Sequence, residues 1–154
     1  MASEASRLER LEDDLELQRH MDRYQRAADT NDWEAFANCF TEDMVFEFAV
    51  DDAAAGTGII PIANHAYKGL DVALPFLQSL HIPFAKTQHF ITNKYFEIQG
   101  STADGRANVL FAGVPDPLKP GENTLYGCRY TWKFRKTDKG WRTAYTLVEK
   151  VWER

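Results

Sequence analysis

The alternation of side chains between Thr124 and Lys136 is the strictest constraint on the fold. Five apolar or aromatic side chains occupy every second position of this segment: Tyr126, Cys128, Tyr130, Trp132 and Phe134. The positions between them from 129 to 135 carry polar or charged residues. Because successive side chains of a strand point to opposite faces, this pattern predicts a β-strand with one buried and one solvated face. A second layer of structure must therefore cover the aromatic face.

Five further segments have the apolar, aromatic and β-branched content of strands. They are Met44–Val50, Ile59–Tyr67, Gln88–Gln99, Ala107–Val114 and Trp141–Trp152. Pro61 indicates that the second of these strands lies at a sheet edge, because proline cannot donate to the ladder. We expect a loop at Asp51–Gly58, and turns at Asp104-Gly105 and Asp138–Gly140, because Asp and Gly favour turns.

Three helices are predicted in the first half of the chain. The first, Ser3–Asp29, carries Leu8, Leu11 and Leu15 at helical spacing, and Leu17, Met21, Tyr24 and Ala28 continue the stripe after a shift of one position. A short second helix follows Asn31 and would place Trp33, Phe36, Ala37 and Phe40 on one face. The third begins at an N-cap, Asp71, and ends before Pro83. Helices followed by one antiparallel run of strands predict an α+β domain, not an α/β domain.

The charge and length of the chain exclude several classes of protein. Its 154 residues correspond to one domain, residues 1–154, and its formal net charge is −5. Nucleic acids and anionic membranes bind basic surfaces, so neither is an expected partner. The charged segment Met1–Asp14 lacks the apolar core of a signal peptide. No apolar run is long enough to cross a membrane. We therefore expect a cytoplasmic protein.

A set of residues spread along the chain resembles the NTF2-like superfamily, in its SnoaL-like, scytalone-dehydratase-like and bile-acid-dehydratase-like branch. The set comprises Tyr24, Asp29–Trp33, Phe36, Phe40–Asp43, Phe46, Tyr67–Gly69, Gln88-His89, Thr92-Asn93 and Asp138–Arg142. The resemblance implies a cone, in which a curved, mainly antiparallel sheet is wrapped by the three helices around a pocket. The superfamily includes dehydratases, isomerases, epoxide hydrolases and non-catalytic binders, so the function must be argued from individual residues.

His89 is the first candidate for a catalytic group. It lies near the start of a strand, in the apolar run His89–Ile91. Histidine titrates near neutral pH and is the usual general base. Judged from the residues alone, a structural histidine that bonds a neighbouring strand is the commoner case. The resemblance implies a catalytic role, because related dehydratases and a dehydrochlorinase carry their catalytic histidine at the matching strand start.

Asp29 and Tyr24 are the partners expected for His89. Asp29 ends the first helix, where the helix dipole disfavours a negative charge. A polar turn would explain this residue as well, and Asp32 is a rival acid. The resemblance implies that Asp29 is the acid of a His–Asp dyad. Tyr24 lies five residues earlier and is either a core residue or, as the resemblance implies, a hydroxyl donor to the substrate.

A further group of residues is expected to contact the substrate. It comprises Asn108, Trp33, Phe40, Phe48, Phe111 and Tyr145. Asn108 interrupts an apolar strand and would need hydrogen-bond partners if it faced inward. Of the remaining histidines, His20 and His81 are expected to be solvated, and His65 is ambiguous. The chain has no zinc-protease, phosphate-loop or dinucleotide motif, so we expect neither a metal nor a cofactor.

These observations predict a cofactor-independent lyase, of the dehydratase type, or an isomerase. Its substrate would be a small, mostly apolar, oxygenated ring compound of the polyketide, steroid or aromatic type. One alternative is a non-catalytic ligand-binding or small structural subunit. Another is an enzyme similar to limonene epoxide hydrolase, for which Asp29 and Arg106 do not obviously supply the required Asp–Arg–Asp set. The apolar end of the last strand, from Leu147 to Trp152, predicts a homo-oligomer, either a dimer or a trimer.

Overall fold

The computed structural model describes residues 4–50 and 65–154 of the chain. Within these ranges the helices are α1 (Glu4–Asp29), α2 (Trp33–Ala37) and α3 (Leu70–His81). The strands are β1 (Phe40–Val50), β2 (His65–Lys68), β3 (Lys86–Gln99), β4 (Thr102–Val114), β5 (Thr124–Thr137) and β6 (Gly140–Glu153). The expected loop Asp51–Gly58 and most of the expected strand Ile59–Tyr67 lie outside the described residues.

The described strands form one sheet in the order β2-β1-β6-β5-β4-β3. Neighbouring strands are antiparallel, except β1 and β6, which run parallel. The longest helix, α1, packs on β3 and β6, and α3 packs on β1 and β2. The helices therefore cover one face of a curved sheet, and this arrangement confirms the α+β fold predicted from the order of the elements.

The alternation that predicted β5 has the expected effect on burial. The side chains of Tyr126, Cys128, Tyr130, Trp132 and Phe134 are all buried. Arg129, Lys133 and Arg135, which alternate with them, are exposed. We call the face that carries the five buried side chains the concave face and the opposite face the convex face. The concave face and α1 enclose the core of the domain.

α1 packs on the sheet only through its second half. Leu17 and Met21 are fully buried, but Leu8, Leu11 and Leu15 are 57%, 68% and 49% exposed. The first three positions of the predicted stripe are therefore exposed, whereas its continuation through Leu17, Met21, Tyr24 and Ala28 is buried. Contact with the sheet begins at Asp13, which accepts hydrogen bonds from the Trp141 indole and the Lys136 ammonium group.

One predicted turn is wrong. Asp104-Gly105 lies inside β4 and pairs with Phe96 and Glu97 of β3. The chain reverses instead at Gly100-Ser101, where Gly100 has a positive φ of 61°. Glycine is present at 105 for another reason: a Cβ there would lie 2.8 Å from the ring of Phe134 and 3.1 Å from that of Phe96. This glycine is required by the close packing of two aromatic rings and not by a turn.

The third helix begins slightly earlier than predicted. Gly69, with a φ of 91°, is the N-cap residue of α3, and Asp71 lies in the first turn. Gly69 also bonds β1, because its N–H donates to the carbonyl of Met44. Among residues 4–50 and 65–154, no helix is long and apolar enough to cross a membrane.

Candidate active site

A pocket opens between the concave face of the sheet and the three helices. Its volume is about 100 Å³. Aromatic and aliphatic side chains form most of its wall, including Trp33, Phe36, Phe46, Phe48, Leu77, Leu80, Phe84, Phe111 and Val148. The polar groups of the wall are Tyr24, Gln25, His81, His89, Tyr126 and Tyr130. Among the residues that the structure describes, no Lys, Arg, Asp or Glu lines this pocket. The pocket is therefore suited to an uncharged ligand.

The end of α1 and the beginning of β3 bring Asp29 and His89 into direct contact. The His89 Nδ1 atom lies 2.6 Å from Asp29 Oδ1. The backbone N–H of His89 donates to Asp29 Oδ2 over 2.9 Å, and the hydroxyl of Thr87 donates to Oδ1 over 3.2 Å. Asp29 therefore receives three hydrogen bonds from two residues of one strand. The side chains of His89 and Asp29 are 9% and 17% exposed.

These hydrogen bonds keep Asp29 ionised. Burial by itself would raise the pKa of this carboxyl group, but the hydrogen bonds and charge of His89, together with Thr87, outweigh burial and hold the pKa below its ordinary value. A carboxylate can only accept, so Nδ1 of His89 carries the proton. In the neutral imidazole, the Nε2 atom on the opposite side of the ring is then unprotonated and can act as a base. The ring itself rests edge-to-face against Phe111, which also lines the pocket.

Tyr24 lines the pocket from α1 and is 3% exposed. It packs against Phe36 and Phe40, with ring centroids 5.2 and 5.4 Å away. Burial raises the pKa of its hydroxyl, and the neighbouring side chains of Thr146 and Trp132 only partly oppose that rise. The hydroxyl is therefore protonated at neutral pH. Tyr24 lines the pocket, and its protonated hydroxyl has a proton to donate.

His81 was expected to be solvated, and that expectation is wrong. It is the last residue of α3, and its ring lines the pocket. It packs edge-to-face on Trp33 of α2, 5.1 Å between centroids. Its Nδ1 atom lies 3.5 Å from the hydroxyl of Thr87. Helical periodicity could not reveal this position, because the contact depends on how the end of α3 meets α2 and β3.

His20 was also expected to be solvated, and the structure corrects this too. It is 1% exposed, and its Nε2 atom lies 2.9 Å from the hydroxyl of Thr143 on β6. Burial, with smaller contributions from Arg23 and Arg142, lowers its pKa to about 3. His20 is thus a neutral structural histidine of the core.

Three of the expected substrate contacts lie elsewhere. Asn108 is exposed on the convex face, opposite Arg129 of β5. The hydroxyl of Tyr145 bonds Glu47 beneath Lys133, also on the convex face. Phe40 begins β1, not a helix, and packs behind the pocket wall without lining it. Alternation with buried Ala107 and Val109 could have placed Asn108 correctly, whereas a bulge near Tyr145 hides its face from the sequence.

The remaining expected contacts do line the pocket. Trp33, Phe48 and Phe111 form part of its wall, together with Tyr24 and His89. Gln25 lines it as well and was not foreseen. It is 7% exposed, and its Oε1 atom has no hydrogen-bond partner among the described residues. Its spacing from buried Met21 and Ala28 is a helical signal that could have identified it.

The side chains required by two other chemistries are not assembled. Arg106 lies on the convex face near Glu97, at an N–O distance of 4.0 Å and with its side chain 66% exposed. It therefore cannot join Asp29 in an epoxide-hydrolase type of site. Among residues 4–50 and 65–154, no group of three or more His, Cys, Asp or Glu side chains is arranged to hold a metal ion.

Comparisons with known proteins agree with this architecture. A proposed aromatic ring hydroxylase from Novosphingobium aromaticivorans is 28% identical, with a TM-score of 0.73, and 92% of this chain and 91% of that chain are covered. A proposed scytalone dehydratase from the same organism is 19% identical, with a TM-score of 0.75 and coverage of 94% and 88%. The hexachlorocyclohexane dehydrochlorinase LinA-type3 from Novosphingobium barchaimii is 20% identical, with a TM-score of 0.73 and coverage of 97% and 93%. None of the curated proteins matches the chain.

The family assignment comes from the sequence itself. Residues 9–146 match the model of the SnoaL-like domain. This match spans most of the chain, and the solved structures of similar fold include an NTF2-like protein with a cystatin-like fold. The protein therefore belongs to the SnoaL-like family.

Proposed function

We propose that the protein is a cofactor-independent lyase or isomerase acting on a small, mostly apolar, oxygenated ring compound. The observation that carries this proposal is the contact between Asp29 and His89 at the wall of an apolar pocket. A histidine held in one tautomer by a buried carboxylate is the arrangement that general-base catalysis requires. The dehydratase and dehydrochlorinase names among proteins of similar fold are consistent with it.

In the proposed reaction, Nε2 of His89 removes a proton from a carbon atom of the substrate. The imidazolium ion that forms is stabilised by the Asp29 carboxylate, 2.6 Å from Nδ1. The electron pair left on the carbon is delocalised onto a neighbouring carbonyl oxygen, to which the Tyr24 hydroxyl donates a hydrogen bond. Return of the proton to another carbon gives isomerisation. Transfer of the proton to a departing hydroxyl group gives loss of water.

The pocket wall favours a neutral ring compound. An enclosed apolar cavity of about 150 Å³ accommodates benzene. The pocket, at about 100 Å³, is smaller, so a small ring would fill it only in part, with the rest of the substrate at its mouth. The described wall contains no cation that would pair with a carboxylate or phosphate group of a substrate. Trp33, Phe48 and Phe111 supply flat apolar surface against such a ring.

Proton abstraction can be tested without knowing the natural substrate. The protein is incubated in D₂O with a panel of cyclic ketones and β-hydroxy cyclic ketones, and mass spectrometry follows deuterium uptake and loss of water. We expect the wild type to accelerate one or both, and His89→Ala to reduce the rate by at least about 10²-fold. The same substitution should change the free energy of unfolding by about 1–2 kcal/mol at most.

A control on the convex face completes the design. Thr131→Ala removes a hydroxyl from β5 on the side of the sheet away from the pocket, and its rate should equal that of the wild type. Undiminished activity in His89→Ala would refute the dyad mechanism. Tight binding of ring compounds without exchange or elimination would instead favour the alternative function, a non-catalytic ligand-binding subunit.

A further inference from the structure

Two imidazole rings lie side by side at the pocket wall. His81, at the end of α3, and His89, on β3, have ring centroids 6.1 Å apart and planes inclined by only 27°. Both rings line the pocket. The hydroxyl of Thr87 lies between His81 and Asp29, 3.5 Å from His81 Nδ1 and 3.2 Å from Asp29 Oδ1. His81 is thereby joined to the Asp29–His89 pair through one threonine.

The number of available protons determines which nitrogen of His81 is protonated. Asp29 is a carboxylate and can only accept, so the single hydroxyl proton of Thr87 is donated to it. The Thr87 oxygen can then only accept from His81, which places a proton on Nδ1 of His81. A neutral imidazole carries one N–H, so its Nε2 atom is an unprotonated acceptor on the opposite side of the ring.

The surroundings of His81 keep the ring neutral. Trp33 faces it from α2, Thr87 and His89 face it from β3, and Asp29 lies beyond Thr87 at the end of α1. Burial lowers its pKa to about 4, with a further lowering by His89 that Asp29 partly opposes. A ligand that fills the pocket displaces water from this nitrogen, and the nitrogen is then costly to leave without a donor. A substrate that brings a donor to this point gains a hydrogen bond there.

We propose that Nε2 of His81 accepts a hydrogen bond from a hydroxyl group of the substrate. The protein would then select cyclic alcohols and phenols over ring compounds, such as ethers, that lack a donor at that position. This inference rests on the proposed function for the identity of the site, but it concerns recognition and requires no turnover. In this proposal, His81 is a binding residue that contacts a substrate oxygen, whereas His89 removes a proton from a substrate carbon.

The test uses phenol and its methyl ether, anisole, as probes of the whole protein. Dissociation constants are measured by NMR titration for the wild type, His81→Phe and His81→Gln. We expect the wild type to bind phenol about tenfold more tightly than anisole, because the ether displaces water from the acceptor but cannot donate to it. Phenylalanine retains an aromatic ring beside Trp33 but removes the acceptor. The ratio of the two dissociation constants should therefore fall to about one. Glutamine offers an acceptor again and should restore part of the preference.

The variant His89→Phe distinguishes the two imidazoles, because Nε2 of His89 could also accept the hydrogen bond from phenol. We expect this variant to retain the preference for phenol. Nitrogen-15 NMR of the wild type should show the Nδ1–H tautomer of His81, with its Nε2 resonance moving when phenol binds. Three results would each overturn the proposal. The wild type could bind both probes equally, His81→Phe could keep the preference unchanged, or only His89→Phe could lose it. A failure of the exchange assay would refute the proposed function and leave this affinity ratio standing.

Discussion

At the scale of single residues, Asp29 determines which nitrogen of His89 is free. Its carboxylate accepts from Nδ1 and from the backbone N–H of the same histidine. An acid at the C-terminal end of a helix is unfavourable for the helix dipole. Three hydrogen bonds from β3 offset that cost, since they hold the pKa of the carboxyl group below its ordinary value against the effect of burial.

The tautomer provides a sharp test of this role. In Asp29→Asn, the amide can donate to Nδ1, which would move the proton of His89 to Nε2 and remove the free base. We expect the proton-exchange rate to fall by about 10³–10⁴-fold, as it does when a triad carboxylate is made neutral. Nitrogen-15 NMR of His89 should show the switched tautomer.

The matched control for that change is Asp32→Asn. Asp32 caps α2 by accepting from the N–H of Ala35 over 3.1 Å, and asparagine caps equally well. We expect wild-type activity and stability in this variant. If Asp32→Asn were as impaired as Asp29→Asn, charge in general, and not the tautomer of His89, would be responsible.

His20 should make the stability of the fold depend on pH. Its pKa is lowered from 6.5 to about 3 in the folded state, because it is buried and lies near Arg23 and Arg142. The unfolded chain therefore takes up a proton below pH 6.5 that the folded chain takes up only near pH 3. The free energy of unfolding should thus decrease as the pH falls through this window, by at most about 1.4 kcal/mol per pH unit for one histidine.

Chemical denaturation at pH 6.5, 5.5 and 4.5 measures this dependence. His81, whose pKa is lowered to about 4, contributes in the same direction. We therefore expect His20→Gln to have a shallower slope than the wild type, and not a flat one. Identical slopes for the two proteins would show that His20 is protonated in the folded state.

At the scale of elements, β4 shows how packing can override turn propensity. Asp104-Gly105 has the composition of a turn, but Gly105 lies in mid-strand, opposite Phe96 and Trp132 of the neighbouring strands. Phe96 and Phe134 occupy the space that a Cβ would need. A sequence pattern contains no information about which ring will lie over which glycine. Composition alone therefore predicts the turn four residues after the point at which the chain reverses.

Gly105→Ala should therefore destabilise the protein without affecting the dyad directly. Its new Cβ would lie 2.8 Å from Phe134, which is 1% exposed and cannot easily move. We expect a loss of about 1–3 kcal/mol in the free energy of unfolding, measured by chemical denaturation. Gly121→Ala is the control, because a Cβ at 121 meets nothing within 4 Å. Gly→Ala by itself reduces the entropy of the unfolded chain and should not destabilise the fold, so a loss of similar size in both variants would contradict overpacking at position 105 as the cause.

At the scale of the whole molecule, the convex face retains exposed apolar side chains. Phe90, Val151 and Trp152 are 45%, 51% and 48% exposed. The homo-oligomer predicted from the apolar end of the last strand stays a prediction, and this patch is where a second copy of the chain would bind. Exposed clusters of large apolar side chains are typical of association surfaces.

Sedimentation velocity can test that expectation. We expect the wild type to sediment as a dimer or trimer, and Phe90→Glu to shift it toward the monomer, because a charge would be buried at the interface. Leu118→Glu introduces the same charge at a loop position that is 89% exposed, outside the sheet, and should leave the mass unchanged. A monomeric wild type would contradict the prediction.

The sequence by itself determined the order of elements and the two faces of β5, and the family resemblance, carried by a spaced set of residues, led to the expectation that His89 pairs with Asp29. These depend on local periodicity and on a spaced set of residues, both of which are visible in a linear chain. The tertiary structure alone decided that His20 is in the core, that His81 lines the pocket, and that Tyr145 lies on the convex face. Each of these positions depends on where one element meets another, or on a bulge that shifts the alternation, and such contacts between distant segments leave no periodic signal in the sequence.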